Sequence, residues 1–299
     1  DLKTTAGRGQ ALKLASSADV VVEGYRPGVM ARLGLDYMTV SARNPSVVYL
    51  SLTGYGQDSP LSDVPGHDLN YLAAAGVTSL CGEVDGPPAH GIGLPIADLG
   101  GAMYALSAIL AALFQREKTG NGQLIDVSMT DCAAHLLNVR KGVCHVGGLS
   151  AMVDQRRVAL ARPAYGVFEC RDGAITIAAL EGHFWNALVT LLNLSDFAGE
   201  EYMHLSARLR DCVAINDVIA QRIGEQNRDE AVASLLAADI PAAPVLSMTE
   251  AESSAHFIAR GLSVETSVGK LTPFPVRLMG MVAGLNETPE LNQDGVELK

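Results

Sequence analysis

The sequence predicts an α/β protein, with a Rossmann-like large domain built on a parallel sheet and a smaller α+β domain after it. Three observations carry that expectation. Val-rich runs at residues 19–23 and 46–52 are continuously apolar rather than alternating, as in strands covered on both faces. Residues 99–117 form a long Pro-free run of small and apolar residues, closed by Lys118-Thr119-Gly120-Asn121-Gly122, which supplies the basic last turn and glycine stop of a buried helix. Further on, Arg171-Asp172-Gly173 separates two β-rich runs and reads as a hairpin.

Taken in order, residues 2–18 give a polar start and a helix, and 19–23 a buried strand, so the chain begins in the middle of an α/β unit. A short helical pattern spans 29–33. The strand at 46–52 follows and runs into Thr53-Gly54-Tyr55-Gly56-Gln57. Asp98 stands where the N-cap of the long helix is expected. Residues 124–127 start another element, 131–146 read as a helix, and 147–162, rich in Gly, Arg and polar residues, as a weakly structured linker. The hairpin strands lie at 165–170 and 174–179. Helical patterns at 184–194, 209–224 and 228–238 come next, then an extended segment at 241–246. With 299 residues, two domains are expected: a large one over 1–146, rejoined by 270–299, and a small one over 163–265.

Lys and Arg number 22 against 33 Asp and Glu, a net charge of −11. That balance argues against sequence-independent binding to nucleic acid or to an anionic membrane, so an anionic substrate would need local arginines. Five cysteines with no CxxC spacing suggest neither a disulfide framework nor a zinc site and fit a reducing cytoplasm. The longest apolar stretch, 102–114, is shorter than the roughly 20 residues a bilayer span requires. No signal peptide is evident.

Candidate chemistry gathers at two motifs, Gly66-His67-Asp68-Leu69-Asn70-Tyr71 and Ala97-Asp98-Leu99-Gly100-Gly101. Each offers a proton-transfer group beside a helix start, where free N–H groups and the helix dipole stabilise negative charge. Asp98 also makes sense as a plain cap, His67 as a surface histidine, and Asp68 as a first-turn acid. The loops Gly24-Tyr25-Arg26-Pro27-Gly28 and 53–57 end the two strands, where ligands of parallel sheets sit. They place backbone and Arg26 where a phosphate or thioester could approach, although glycines there also serve simply to turn the chain.

These motifs, with Val22-Glu23-Gly24-Tyr25-Arg26-Pro27-Gly28-Val29, Arg32-Leu33-Gly34-Leu35 and Thr119-Gly120-Asn121-Gly122-Gln123-Leu124-Ile125-Asp126, resemble the family III coenzyme A transferases (CaiB/BaiF type) in order and spacing across nearly the whole chain. The GHD-x-NY run and Ala178-Ala179-Leu180-Glu181-Gly182-His183-Phe184 resemble the α-methylacyl-CoA racemase branch in particular. The resemblance implies an interlocked homodimer acting on an acyl-CoA thioester, with no metal and no cofactor beyond the coenzyme A that enters as part of the substrate. Asp98 would be one acid/base and His67, helped by Glu181, the other. The N–H groups around Leu99 and Gly100 would receive an enolate oxygen. Arg26 and Arg32 would meet coenzyme A phosphates, and Tyr71 would join the binding set. It further implies epimerisation of a 2-methylacyl-CoA by 1,1-proton transfer. The alternative is coenzyme A transfer through a mixed anhydride and an aspartyl-CoA thioester on Asp98, and a third reading is an inactive, truncated member. Two departures stand out. The front segment that members carry, with the first strand and part of the coenzyme A site, is missing here, and Ala159-Leu160-Ala161-Arg162-Pro163-Ala164-Tyr165 replaces a Gly-Gly-Ala-Pro loop of the racemases. The acyl group stays open.

Overall fold

Three parallel strands organise the first of two units, Asp1–Ala161, in the computed structural model, which describes residues 1–277. Helix α1 (Thr5–Ser17) starts at Thr4, whose hydroxyl accepts the Gly7 N–H at 3.0 Å. Strand β1 (Val20–Glu23), helices α2 (Val29–Leu33) and α3 (Tyr37–Ser41), and strand β2 (Val48–Thr53) follow. Next come α4 (Asp68–Ala74), a 3₁₀ turn at Val77–Leu80, α5 (Ile96–Thr119) and β3 (Gln123–Ser128). Helices α6 (Met129–Leu136), α7 (Asn138–Val146) and α8 (Met152–Leu160) complete the unit. The sheet order is β1-β2-β3, with Val20 opposite Val48 and Val48 opposite Gln123. Central β2 buries Val48, Tyr49 and Leu50 completely or nearly so, which explains why its sequence does not alternate. The Tyr49 hydroxyl donates to the Leu35 carbonyl at 2.8 Å, and burial pushes that phenol well above its ordinary range.

Helix α5 packs a face of small residues, Ala97, Gly101, Ala105 and Ala112, against the neighbouring β2, β3, α4 and α6. A Cβ on Gly101 would lie 2.8 Å from Met129 Cγ, so the close approach needs glycine. Leu99, Met103, Leu106, Leu110 and Phe114 are exposed along its length. The expectation that no apolar stretch is long enough for a bilayer needs correcting. At 24 residues α5 passes that test by length and composition, because the helix continues past both ends of the apolar core at 102–114.

The second unit begins at Arg162. Strands β4 (Tyr165–Cys170) and β5 (Gly173–Ala178) pair antiparallel around the two-residue turn Arg171-Asp172, and β6 (Ala242–Pro244) adds to β5. Helices α9 (Gly182–Leu192), α10 (Leu205–Arg210), α11 (Cys212–Gly224) and α12 (Arg228–Ala237) lie between β5 and β6. Short helices α13 (Met248–Glu252) and α14 (Ala255–Arg260) and a hairpin of β7 (Val264–Thr266) and β8 (Gly269–Leu271) follow. The core gathers Phe168, Ile175, Ile177, Trp185, Leu188 and the α11 stripe Ile215, Ile219 and Ile223 at helical spacing.

Other expectations are corrected. Residues 147–162 are not a bare linker but contain α8, because Arg156 is buried there and donates to the carbonyls of Ser79, Glu83 and Gly86. Such a long-range anchor is invisible to local composition. The helix read over 131–146 is two helices meeting at Leu137. The expected return of 270–299 to the large domain falls, beyond residue 277, outside the described residues.

Gly122 marks a crossing of chains. Its N–H donates to the Pro45 carbonyl at 2.9 Å, and a Cβ there would sit 1.9 Å from the Val47 carbonyl oxygen. Gly122→Ala therefore forces the β2 and β3 entries apart. The expected cost is about 1–3 kcal/mol, measured by denaturant unfolding; an unchanged midpoint would contradict the contact.

Candidate active site

The GHDLNY run folds as a helix start. His67, extended at φ −130°, is the N-cap of α4, and its N–H donates to Asn70 Oδ1 at 3.1 Å, while the Asn70 N–H returns to the His67 carbonyl at 2.8 Å. Tyr71 turns inward, 8% exposed, donates its hydroxyl to the Gly66 carbonyl at 2.5 Å and stands edge-on to Tyr55 with ring centres 5.2 Å apart. A Cβ on Gly54 or Gly66 would fall 2.3 or 2.6 Å from Tyr71 Cε1. Gly54, read in the sequence as room for a ligand or a plain turn, is room for this ring.

Asp68 does something the sequence did not disclose. Its Oδ1 accepts the N–H of Ala97 at 2.7 Å and of Asp98 at 3.2 Å, so a carboxylate from α4 caps α5. The cap of α5 is Pro95, not Asp98, and proline brings no side-chain acceptor. Asp98 sits instead in the first turn. The expected role of Leu99 and Gly100 is corrected as well. The Leu99 N–H already donates to the Pro95 carbonyl at 2.9 Å, and Gly100 lies one residue deeper, where the amide belongs to the helical ladder. Gly100 is a packing position, since a Cβ there would come within 3.3 Å of Leu136 Cδ1.

Six side chains form one electrostatic group. The Asp98 carboxyl is solvent-reached yet held above its ordinary value, first by the protein mass around it and then by the Asp68 charge, with His67 opposing. The Tyr71 phenol is raised by burial, by Tyr55 and by Asp98, against the pull of Arg26. His67, Tyr71 and Arg26 line a cleft of about 490 Å³ with Gly54, Tyr55 and Gly66. Asp98 does not line this cleft; it joins the group through its charge interactions with Asp68, His67 and Tyr71. Arg32 lies elsewhere, exposed in the last turn of α2 with its guanidinium against Gly28. Glu181 stands in the second unit as the N-cap of α9, its carbonyl accepting the Trp185 N–H at 2.9 Å. Its charge acts on buried Arg208, which donates to the Ala179 carbonyl at 3.3 Å and lies over the Trp185 ring.

The pattern of CoA-transferase family III matches residues 1–295. The chain belongs to that family. Among solved structures, a CaiB/BaiF family protein from Brucella suis superposes with a TM-score of 0.85 at 30% identity, over 99% of this chain and 78% of the other. Acetyl-CoA:oxalate CoA-transferase of Acetobacter aceti is 28% identical over 303 residues, all of this chain and 77% of its own length. Alpha-methylacyl-CoA racemase of Homo sapiens is 28% identical over 280 residues, 93% of this chain and 72% of its own. Membership in family III makes this an enzyme family acting on acyl-CoA, with transferases and a racemase both among the relatives.

Two variants separate the charge of Asp68 from its capping in this family III chain. Asp68→Asn keeps an acceptor oxygen but removes the like charge, so the Asp98 carboxyl should titrate at lower pH in ¹³C NMR; a rise would refute the coupling. Asp68→Ala removes the cap too and should cost about 1 kcal/mol in unfolding free energy.

Proposed function

We propose that this chain epimerises the α-carbon of a 2-methylacyl-CoA by 1,1-proton transfer through an enolate. The observation that carries the reading is that His67 and Asp98, two groups able to move protons, stand at two helix starts fastened by one carboxylate. A thioester acidifies its α-hydrogen, and inversion needs one group to take the proton and a second to return one from the other face. Near neutral pH the two must hold opposite proton states, and the raised pKa of Asp98 brings that carboxyl closer to such a balance. Arg26, on the cleft wall, meets phosphate of the coenzyme A, and Arg32 takes the more distal part. Glu181 supports His67 within an interlocked homodimer, and the five free cysteines fit a cytoplasmic enzyme.

A second reading is coenzyme A transfer. It is favoured by the solvent-reached Asp98, which as a nucleophile would form a mixed anhydride and then an aspartyl-CoA thioester, and by the match of this whole chain to 77% of an acetyl-CoA:oxalate CoA-transferase. That route gives His67 no part in the chemistry.

The two readings separate in D₂O. Starting from one epimer of a 2-methylacyl-CoA, NMR should show α-deuterium uptake with inversion. Asp98→Asn should lose it by about 10²-fold or more, and His67→Ala by a similar factor. An inert α-hydrogen, together with transfer to an acceptor acid that survives His67→Ala, would replace the epimerase by the transferase. Neither activity would leave an inactive member.

A further inference from the structure

Beyond the far end of α4 lies a second recess of about 480 Å³, also within the first unit. One side is apolar, made by Ala75, Leu80 and Leu137. The other is cationic, made by Arg140 and Lys141 of α7 with the His145 imidazole beside them. Lys141 and His145 are four residues apart and so share one helix face, with Arg140 beside them. In a chain whose net charge is −11, no aspartate or glutamate among the described residues lines this recess. Lys141 is half-buried, and its ammonium donates to the Ala134 carbonyl at 3.3 Å, which steadies it without neutralising it. Arg140 is half-buried too, and among the described residues its guanidinium has neither a hydrogen-bond nor an ion-pair partner. Gln155 of α8 closes the wall, its amide nitrogen held on the Leu149 carbonyl at 3.0 Å.

Some surface arginines pair with acids, Arg116 with Asp19, Arg157 with Asp85 and Arg228 with Glu250. Arg140 has no such partner among the described residues and faces the recess instead. A guanidinium, an ammonium and an imidazole converging on one concavity attract a doubly charged anion more strongly than a singly charged one. The apolar wall adds room for a hydrocarbon part, and the volume suits a small molecule.

We propose that this recess binds a small phosphate monoester, its phosphate between Arg140 and Lys141 and its apolar part along Ala75, Leu80 and Leu137. The site is distinct from the His67 cleft, which opens at the opposite end of α4 and has Arg26 as its cation. It does not depend on which acyl-CoA reaction the cleft performs.

Calorimetric titration with phenyl phosphate tests it. Binding should saturate at one site and weaken at least tenfold in Arg140→Ala/Lys141→Ala, while Arg26→Ala leaves it unchanged. Circular dichroism and the unfolding midpoint of the double variant establish that its fold is intact; Arg140→Gln, a milder change, serves if it is not. Inorganic phosphate should bind more weakly than phenyl phosphate, since it forgoes the apolar wall. Absence of binding, or loss that follows Arg26→Ala instead, would overturn the site. Benzoate binding as tightly as phenyl phosphate would overturn the choice of phosphate.

Discussion

A single carboxylate oxygen, Asp68 Oδ1, accepting the amide protons of Ala97 and Asp98 holds the candidate site in register. Everything distinctive about the site follows from it. α5 starts after a proline that brings no side-chain acceptor, so its first amides would otherwise be orphaned. A side-chain cap of this kind contributes on the order of 1 kcal/mol. The same contact fixes the start of α4 against the start of α5, and with it His67 against Asp98. Its charge also acts on Asp98, raising the carboxyl that the helix start would by itself favour as an anion. One group thus fixes the position of Asp98 and adds to the burial that raises its proton affinity.

Much of this was legible in the chain, and what was missed has a common cause. The parallel strands, the long helix and the hairpin are written in local pattern: continuous apolar runs, glycine stops and a two-residue turn. His67, Tyr71 and Arg26 do come together around one cleft, with Asp98 in their electrostatic group. The errors arise where a residue's partner lies far along the chain. Asp68 looked like an acid complementing its own helix, because nothing within a few residues reveals α5 as its client. Residues 152–160 looked like a linker because the carbonyls that Arg156 holds are about seventy positions away. Gly54 looked like a turn or ligand glycine because the ring that needs the space belongs to Tyr71. A proline just ahead of a long helix was the one clue available, since it says that the cap must come from elsewhere.

The acidic chain handles its cations in three ways. Some pair at the surface, as Arg116 does with Asp19. Some are buried on carbonyls, as Arg156 is, where the guanidinium replaces a local ladder by fixing three carbonyls at once. A few face open concavities. Arg26 and Arg140 are of this last kind, at opposite ends of the seven-residue α4.

Helix α5 is a strut pinned at both ends. The Asp68 carboxylate grips its first turn, and the Val47 carbonyl passes so close to Gly122, just beyond its last turn, that the chain there has no slack. A rod fixed in this manner cannot slide along its axis. One residue inserted between the two anchors would advance the helix by about 1.5 Å and rotate everything beyond it by about 100°. Either Asp98 would swing away from His67 or the β3 entry would leave its crossing. Loops elsewhere in the unit can lengthen and shorten, but the residue count from Asp98 to Gly122 is a fixed dimension of the machine, as surely as the identity of the groups that it carries.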